Sequence, residues 1–184
     1  FSHMRGKEEL ARLFQYDVVM YSPNPAITID AVLGQNVTVE LKQKGGSTRS
    51  FNGFVTRFSQ ADAVEEGYSV YEATISPWLW FLTRTSDCRI FQEKAVPDII
   101  KEVFNDNGFS DFEDKLNGTY EPWEYCVQYR ETDFNFVSRL MEQEGIYYYF
   151  THENGLHKLV FADGYSSHSP LKGESSIPFH PPGT

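Results

Sequence analysis

Residues 36–42, NVTVELK, alternate strictly: Val37, Val39 and Leu41 fall on one side of an extended chain, Asn36, Thr38, Glu40 and Lys42 on the other. Successive side chains of a strand point to opposite faces, so this period predicts a half-buried strand. KGGS (44–47) supplies a turn, and TRSFNGFVTRF (48–58) returns as the second arm of a hairpin. Gly53 inside that arm predicts a bulge or a close backbone approach. FQYDVVMY (14–21) is apolar and aromatic with no helix cap before it, and the two prolines of SPNP (22–25) end it. YSVYEATI (68–75) reads as another strand, preceded by ADAVEEG (61–67) as a polar loop. Short strands joined by such turns predict an antiparallel barrel or sandwich.

The pattern changes at SPWLWFL (76–82), where Pro77 bars a central strand and the apolar run predicts a short helical turn or a buried corner. VPDIIKEVFNDNG (96–108) takes the helical period. Pro97 suits the first turn, Asp98 complements the helix dipole, Ile99, Ile100, Val103 and Phe104 form one face, and Asn107-Gly108 stops it. NGTYEPW (117–123) reads as loop and YCVQY (125–129) as strand. A second helix follows over roughly 133–144. Thr132 is placed to cap it, Asp133 favours its N-terminus and Gly145 ends it. Phe134, Val137 and Met141, joined by Phe136 and Leu140, make an apolar face about 160° wide.

Asn154-Gly155 marks a tight hairpin turn within IYYYFTHENGLHKLVFADG (146–164). A two-residue loop there pairs Glu153 with Leu156, Phe150 with Leu159 and Tyr148 with Phe161. The opposite face pairs Tyr149 with Val160 and Tyr147 with Ala162. Both faces are apolar or aromatic, so both need cover. One suits the preceding helix; the other calls for a barrel wall or another chain.

The chain has 184 residues, enough for one domain or two small subdomains sharing a core. An apolar content of 40%, with 15 Phe and 11 Tyr, is that of a chain that folds. The net charge of −10 argues against nucleic acid and against an anionic membrane surface as partners. No run of about 18 apolar residues predicts a membrane span, and FSHMRGKEEL lacks the apolar core of a signal peptide. Cys88 and Cys126 are too few for a disulfide scaffold or a zinc site and are expected as two buried free thiols.

YRETDFNFVSRLMEQEGIYYYF (129–150) combines paired glutamates with an aromatic wall, the ingredients of a glycosidase. Helical phase separates them: Glu142 and Glu144 point about 200° apart and cannot flank one bond. Glu142 is expected to pair with Arg139 one turn earlier, while Glu144 lies at the edge of the apolar face with no evident role. A sugar hydrolase would instead need Asp133 or Glu144 facing Glu121 or Glu124. A carbohydrate-binding module would need Trp78, Trp80 or Trp123 exposed and coplanar; Trp78 and Trp80 read better as core. The hairpin register sets His152 opposite His157, half a metal site, with no third ligand in the pattern; an exposed polar pair is expected. His3, His168 and His180 have no metal spacing. Phosphate loops, serine elbows and C-x-x-C are missing. No catalytic, cofactor-binding or metal residue is assigned.

SPWLWFLTRTSDCRIFQEKAVPDIIKEVF and VQYRETDFNFVSRLMEQEGIYYYFTHENGLHKLVFADG resemble the N-terminal part of the VgrG proteins, the spikes of bacterial type VI secretion. FNGFVTRFSQ and RGKEELARLFQYDVVMYSPNP match the same family, and FSHMRGKEEL fits its opening strand better than a cloning scar. The resemblance implies a mainly β architecture like the baseplate hub of contractile phage tails, a split antiparallel β-barrel plus an α+β segment. On that pattern, 1–85 form the barrel subdomain, 86–164 a subdomain of two helices and a hairpin, and 165–184 lead towards a second barrel. It further implies a non-enzymatic homotrimer, without cofactor, that docks on a hexameric tube protein of the Hcp type and meets baseplate components and effectors. Such a hub is assembled in the cytoplasm of a Gram-negative bacterium and then driven out of the cell. In full-length members an OB-fold and a needle follow, so this chain reads as a fragment. Part of the Tyr-rich hairpin face is then expected to be covered only in the assembly, unless Tyr147, Tyr149 and Val160 are all buried in the single chain.

Overall fold

The computed structural model describes residues 1–65, 67–169 and 178–179. Five strands build the first part: β1 (His3–Lys7), β2 (Gln15–Ser22), β3 (Asn36–Lys42), β4 (Thr48–Glu65) and β5 (Tyr68–Ser76). They form one antiparallel sheet in the order β1-β2-β5-β4-β3. The sheet curls into a half-barrel whose edges, β1 and β3, are not joined to each other. A single turn of helix, α1 (Ile29–Val32), carries the chain from β2 to β3. The concave side buries Phe14, Tyr16, Val18, Phe51 and Ile75, and further along Val55, Phe58, Tyr71 and Ala73.

Gly53 is a close-approach glycine. A Cβ there would lie 2.6 Å from Ile75 Cγ2 and 2.8 Å from the Ser76 carbonyl oxygen. The bulge falls instead between Val55 and Arg57. Residues 61–65 are strand rather than loop: β4 continues to Glu65, pairing Val64 with Ser69 and Glu65 with Tyr68 after a register slip beyond Gln60. Ladder hydrogen bonds are made by the backbone, so polar composition does not end a strand whose partner continues beside it.

At Pro77 the chain leaves the sheet through a 3-10 helix, Trp78–Thr83, and enters the second part. This holds β6 (Ser86–Phe91), α2 (Val96–Asp106), β7 (Phe112–Lys115), β8 (Cys126–Thr132), α3 (Asp133–Glu144), β9 (Tyr147–Glu153) and β10 (Leu156–Ala162). β6 pairs with β8; β10 pairs antiparallel with β9 and parallel with β7. The apolar stripe of α2 is buried as its period requires, with Pro97 in the first turn. The Thr132 side chain caps α3 by accepting from Asn135 N at 3.1 Å, and Gly145, at φ 70°, ends it. One core gathers Trp78, Leu79 and Leu82 from the 3-10 helix with α2, α3 and the hairpin.

The β9–β10 register is the one the Asn-Gly turn dictates, including Phe150 opposite Leu159 and His152 opposite His157. Tyr148, Phe150 and His152 therefore share a face with Phe161, Leu159 and His157. That face runs from the helical core, at Tyr148 and Phe161, to the half-barrel, at Phe150 and His152. On the other face Val160 is buried and Tyr147 and Tyr149 are half-buried. The 3-10 turn Tyr165–Ser167 and His168 fold back over them: Tyr147 Oη donates to the Gly164 carbonyl at 2.9 Å, and the His168 ring stacks on Tyr147.

Two local expectations are corrected. Only Cys126 is buried, opposite Phe91 on the inner face of the β6–β8 ribbon; Cys88 is exposed, opposite Tyr129 on the outer face. Alternation along each strand separates them. Arg139 pairs with Glu131, not Glu142, through a fork of contacts at 2.7–3.1 Å while also donating to the Val127 carbonyl at 2.8 Å. The bidentate geometry and the extra carbonyl outweigh a one-turn pairing along the helix.

Candidate functional site

Asp133, 4% exposed, is the most embedded of the carboxylates considered for catalysis. Arg89 Nη2 and Gln128 Nε2 each donate to Oδ1 at 2.7 Å; Thr85 Oγ1 (2.7 Å) and Asn107 Nδ2 (3.1 Å) donate to Oδ2. Burial opposes its charge, but the hydrogen bonds from Gln128, Thr85 and Asn107, with Arg89 beside them, outweigh burial and hold the carboxyl below the usual range. A carboxylate with four fixed donors at the start of α3 fastens α3 to the β6–β8 ribbon and leaves no proton to trade. Glu121, Glu124 and Glu142 are exposed. Glu144 is half-buried near Tyr120, whose hydroxyl donates to Asp163 at 2.9 Å. Trp78 is core, edge-on to Phe104 and stacked on Phe109, so the three tryptophans form no exposed platform; Trp80 and Trp123 are half-buried.

The histidine pair is the largest departure from expectation. His157 is 2% exposed and His152 half-buried, because the half-barrel packs on the hairpin face that carries them while the tip, Glu153–Gly155, stays exposed. The partners of His157 fix its tautomer. Trp78 N–H can only donate, so His157 Nε2 accepts from it at 2.9 Å. His157 Nδ1–H then donates to Asn52 Oδ1 at 2.7 Å. Tyr16 Oη gives its proton to Glu8 Oε1 at 2.8 Å, so at His152 it must accept, and His152 Nε2–H donates to it at 3.0 Å. His152 Nδ1 faces both Asn52 N at 3.2 Å and the Asn52 carbonyl oxygen at 3.1 Å; in the neutral ring, with the proton on Nε2, it accepts from the N–H. His157 is thus held as the neutral Nδ1–H ring. Burial, followed by the neighbouring His152, pushes the His157 pKa down to about 3; burial likewise lowers that of His152.

Asn52, fully buried on β4, is the centre of this joint, and the sequence reading missed it. Its amide nitrogen donates to Asn36 Oδ1 at 2.7 Å and Thr38 Oγ1 at 2.9 Å, tying β3 to the hairpin through His157. A polar, β-disfavoured residue between Phe51 and Phe54 was the available signal. The ring nitrogens are all engaged, and among the described residues no three His, Cys, Asp or Glu side chains gather as metal ligands. His3 is exposed, and His180 lies outside the described residues. The cluster offers neither a free nucleophile nor an open coordination position. It can hold the half-barrel, the Pro77 corner and the hairpin at a fixed angle.

The outer face of the β6–β8 ribbon has the opposite character. Cys88, Ile90, Val127 and Tyr129 are exposed side by side, with Tyr125 near by. An apolar ribbon face of this kind suits contact with another chain.

Comparison with known proteins places these features. VgrG1c of Pseudomonas aeruginosa, a type VI secretion system spike protein, is 55% identical over 179 residues, covering 97% of this chain and 24% of the relative. The chain therefore spans about a quarter of the length of that relative. The E. coli c3393 protein, described as a component of the type VI secretion system similar to the T4 tail proteins gp27 and gp5, superposes with a TM-score of 0.81. It shares 29% identity and is matched over 88% of this chain and 45% of its own. A chain of the half-lidded Francisella PdpA–VgrG complex shares the fold, with a TM-score of 0.61 at 14% identity over 88% of this chain and 27% of that one. The phage tail baseplate hub (GPD) family matches residues 7–184, and the chain belongs to that family.

Proposed function

We propose that this chain is the N-terminal hub portion of a trimeric, cell-puncturing spike of type VI secretion, seated on the end of a hexameric tube. The observation that carries this reading is the likeness to VgrG1c over 97% of the chain. The site geometry agrees with it: the buried Asp133 and His157 are saturated with partners and serve as fasteners between elements, as a part that transmits force requires. Its role is structural rather than enzymatic. Residues 1–85 act as the barrel unit and 86–164 as the helix and hairpin unit, sharing the connecting turn because Trp78, Leu79 and Leu82 sit in the second core. On this reading the segment 165–184, of which only 165–169 and 178–179 are described, leads towards a second barrel.

The partners in this reading are two further copies, the tube protein, baseplate components and an effector; the Francisella relative was determined as a PdpA–VgrG complex. Assembly takes place in the cytoplasm, followed by expulsion. Among the described residues no helix is long and apolar enough to cross a membrane. Since Val160 is already buried, Tyr147 and Tyr149 are the hairpin residues left to be covered in the assembly. Light scattering on the longer protein containing this chain tests the reading: a mass of three chains is expected, and a monomer at micromolar concentration overturns it.

A further inference from the structure

Between α3 and the linker after β1 lies a cleft of about 340 Å³, lined by Arg12, Phe134, Ser138, Met141, Glu142 and Tyr148 among others. Two hydroxyls in its wall, Ser138 Oγ and Tyr148 Oη, are buried without a hydrogen-bond partner. Tyr148 is 2% exposed, and a buried hydroxyl left unpaired works against folding. A helical serine ordinarily returns its proton to the carbonyl one turn back, yet Ser138 makes no such bond. Burial pushes the Tyr148 pKa up, so this hydroxyl remains a donor.

The charges on the cleft are unequal in availability. Glu131 is engaged by Arg139 at 2.7 Å. Arg12 is exposed and, among the described residues, no carboxylate lies within ion-pair distance of it. Its position is set by the neighbouring Ala11 N–H, which donates to the Tyr148 carbonyl at 2.8 Å. Two O–H donors in the wall, closed to solvent in the free chain, and a guanidinium without a carboxylate partner thus border an apolar floor of Phe134, Met141 and Ile146, and a ligand reaches the hydroxyls only by parting the wall. The matching ligand is an acceptor bearing one negative charge on an apolar stem. Glu142 at the rim disfavours a doubly charged group such as phosphate. The volume is at the lower end for ligand sites and takes a side chain or two rather than a whole metabolite.

We propose that this cleft receives the carboxylate of an acidic, otherwise apolar peptide segment of a partner protein. The proposal rests on the hub reading in taking the ligand from a protein chain. Its test is an NMR titration of the isotope-labelled chain with acetyl-Leu-Glu-amide, with acetyl-Leu-Gln-amide as control. Saturable shifts are expected at Arg12, Ser138 and Tyr148, with affinity about tenfold lower for the glutamine peptide. Tyr148→Phe and Arg12→Gln should each weaken acidic-peptide binding, and Ser138→Ala should do so to a smaller extent. Tyr148→Phe should not lower the thermal midpoint, because it removes an unpaired hydroxyl. The proposal is overturned by any of three results: no saturable shift at low-millimolar peptide, equal affinity for both peptides, or a Tyr148→Phe chain that melts earlier and binds unchanged. The mass of the longer protein is read separately, so a failed titration with a trimer intact removes the cleft assignment alone.

Discussion

Acid should loosen the joint at His157 well before it reaches the carboxylates. In the folded chain His157 is neutral, with its pKa at about 3 against an ordinary value of 6.5. The unfolded chain binds this proton below pH 6.5 and the folded chain does not. The stabilisation is therefore complete above pH 6.5 and declines as pH falls towards the folded pKa. Each pH unit in that window costs about 1.4 kcal/mol, or about 2 kcal/mol by pH 5. His152, shifted in the same direction, adds to the loss. Asp114, Asp133 and Asp163 have lowered pKa values, so their stabilisation is lost only below the ordinary carboxylate range. The interval from pH 7 to pH 5 thus isolates the histidines. Structurally, a second proton on His157 would set an Nε2–H against Trp78 N–H across 2.9 Å, two donors facing each other. The assay is urea unfolding at pH 7 and pH 5 for the wild-type chain and for His157→Gln. Glutamine does not titrate, and its carbonyl can accept from Trp78. The variant should be weaker at pH 7 by about 2–3 kcal/mol and lose most of the pH dependence. Equal stability of the wild-type chain at both pH values, or an unchanged slope in the variant, would refute the reasoning.

Gly53→Ala forces a Cβ to 2.8 Å from the Ser76 carbonyl, where backbone cannot yield cheaply, and should cost about 2–3 kcal/mol in the same urea assay. Asp133→Asn removes the buried counter-ion of Arg89, which keeps Asp87 and Asp106 at its exposed side, and should cost about 2–3 kcal/mol, the loss shrinking at acid pH where the wild-type carboxylate also protonates. Ellman's reagent should titrate one thiol, Cys88, in the folded chain and two after unfolding.

What could be read from the sequence was local. The two long helices and the hairpin followed from 3.6-residue and two-residue periods and from Asn154-Gly155, whose turn geometry leaves one register. β7 was not legible: FEDK is short and charged and becomes a strand only by lying parallel to Leu159–Ala162. The exposure of the histidines was misjudged for the same reason. Register sets them opposite each other, but Asn52 and Tyr16, 100 and 136 residues before His152, bury them. Arg139 likewise found its partner on β8 rather than one turn along its own helix. The sequence assigns Glu144 no role, and its carboxylate has no hydrogen-bond partner among the described residues.

The most direct test of the central claim is cryo-electron microscopy of the assembled secretion particle containing the longer protein. Three copies of this half-barrel and hairpin unit are predicted around one axis at the end of the hexameric tube, with the His152–His157–Asn52 joint closed in each. A tube end without this chain, or the chain present there as a single copy, would contradict the account.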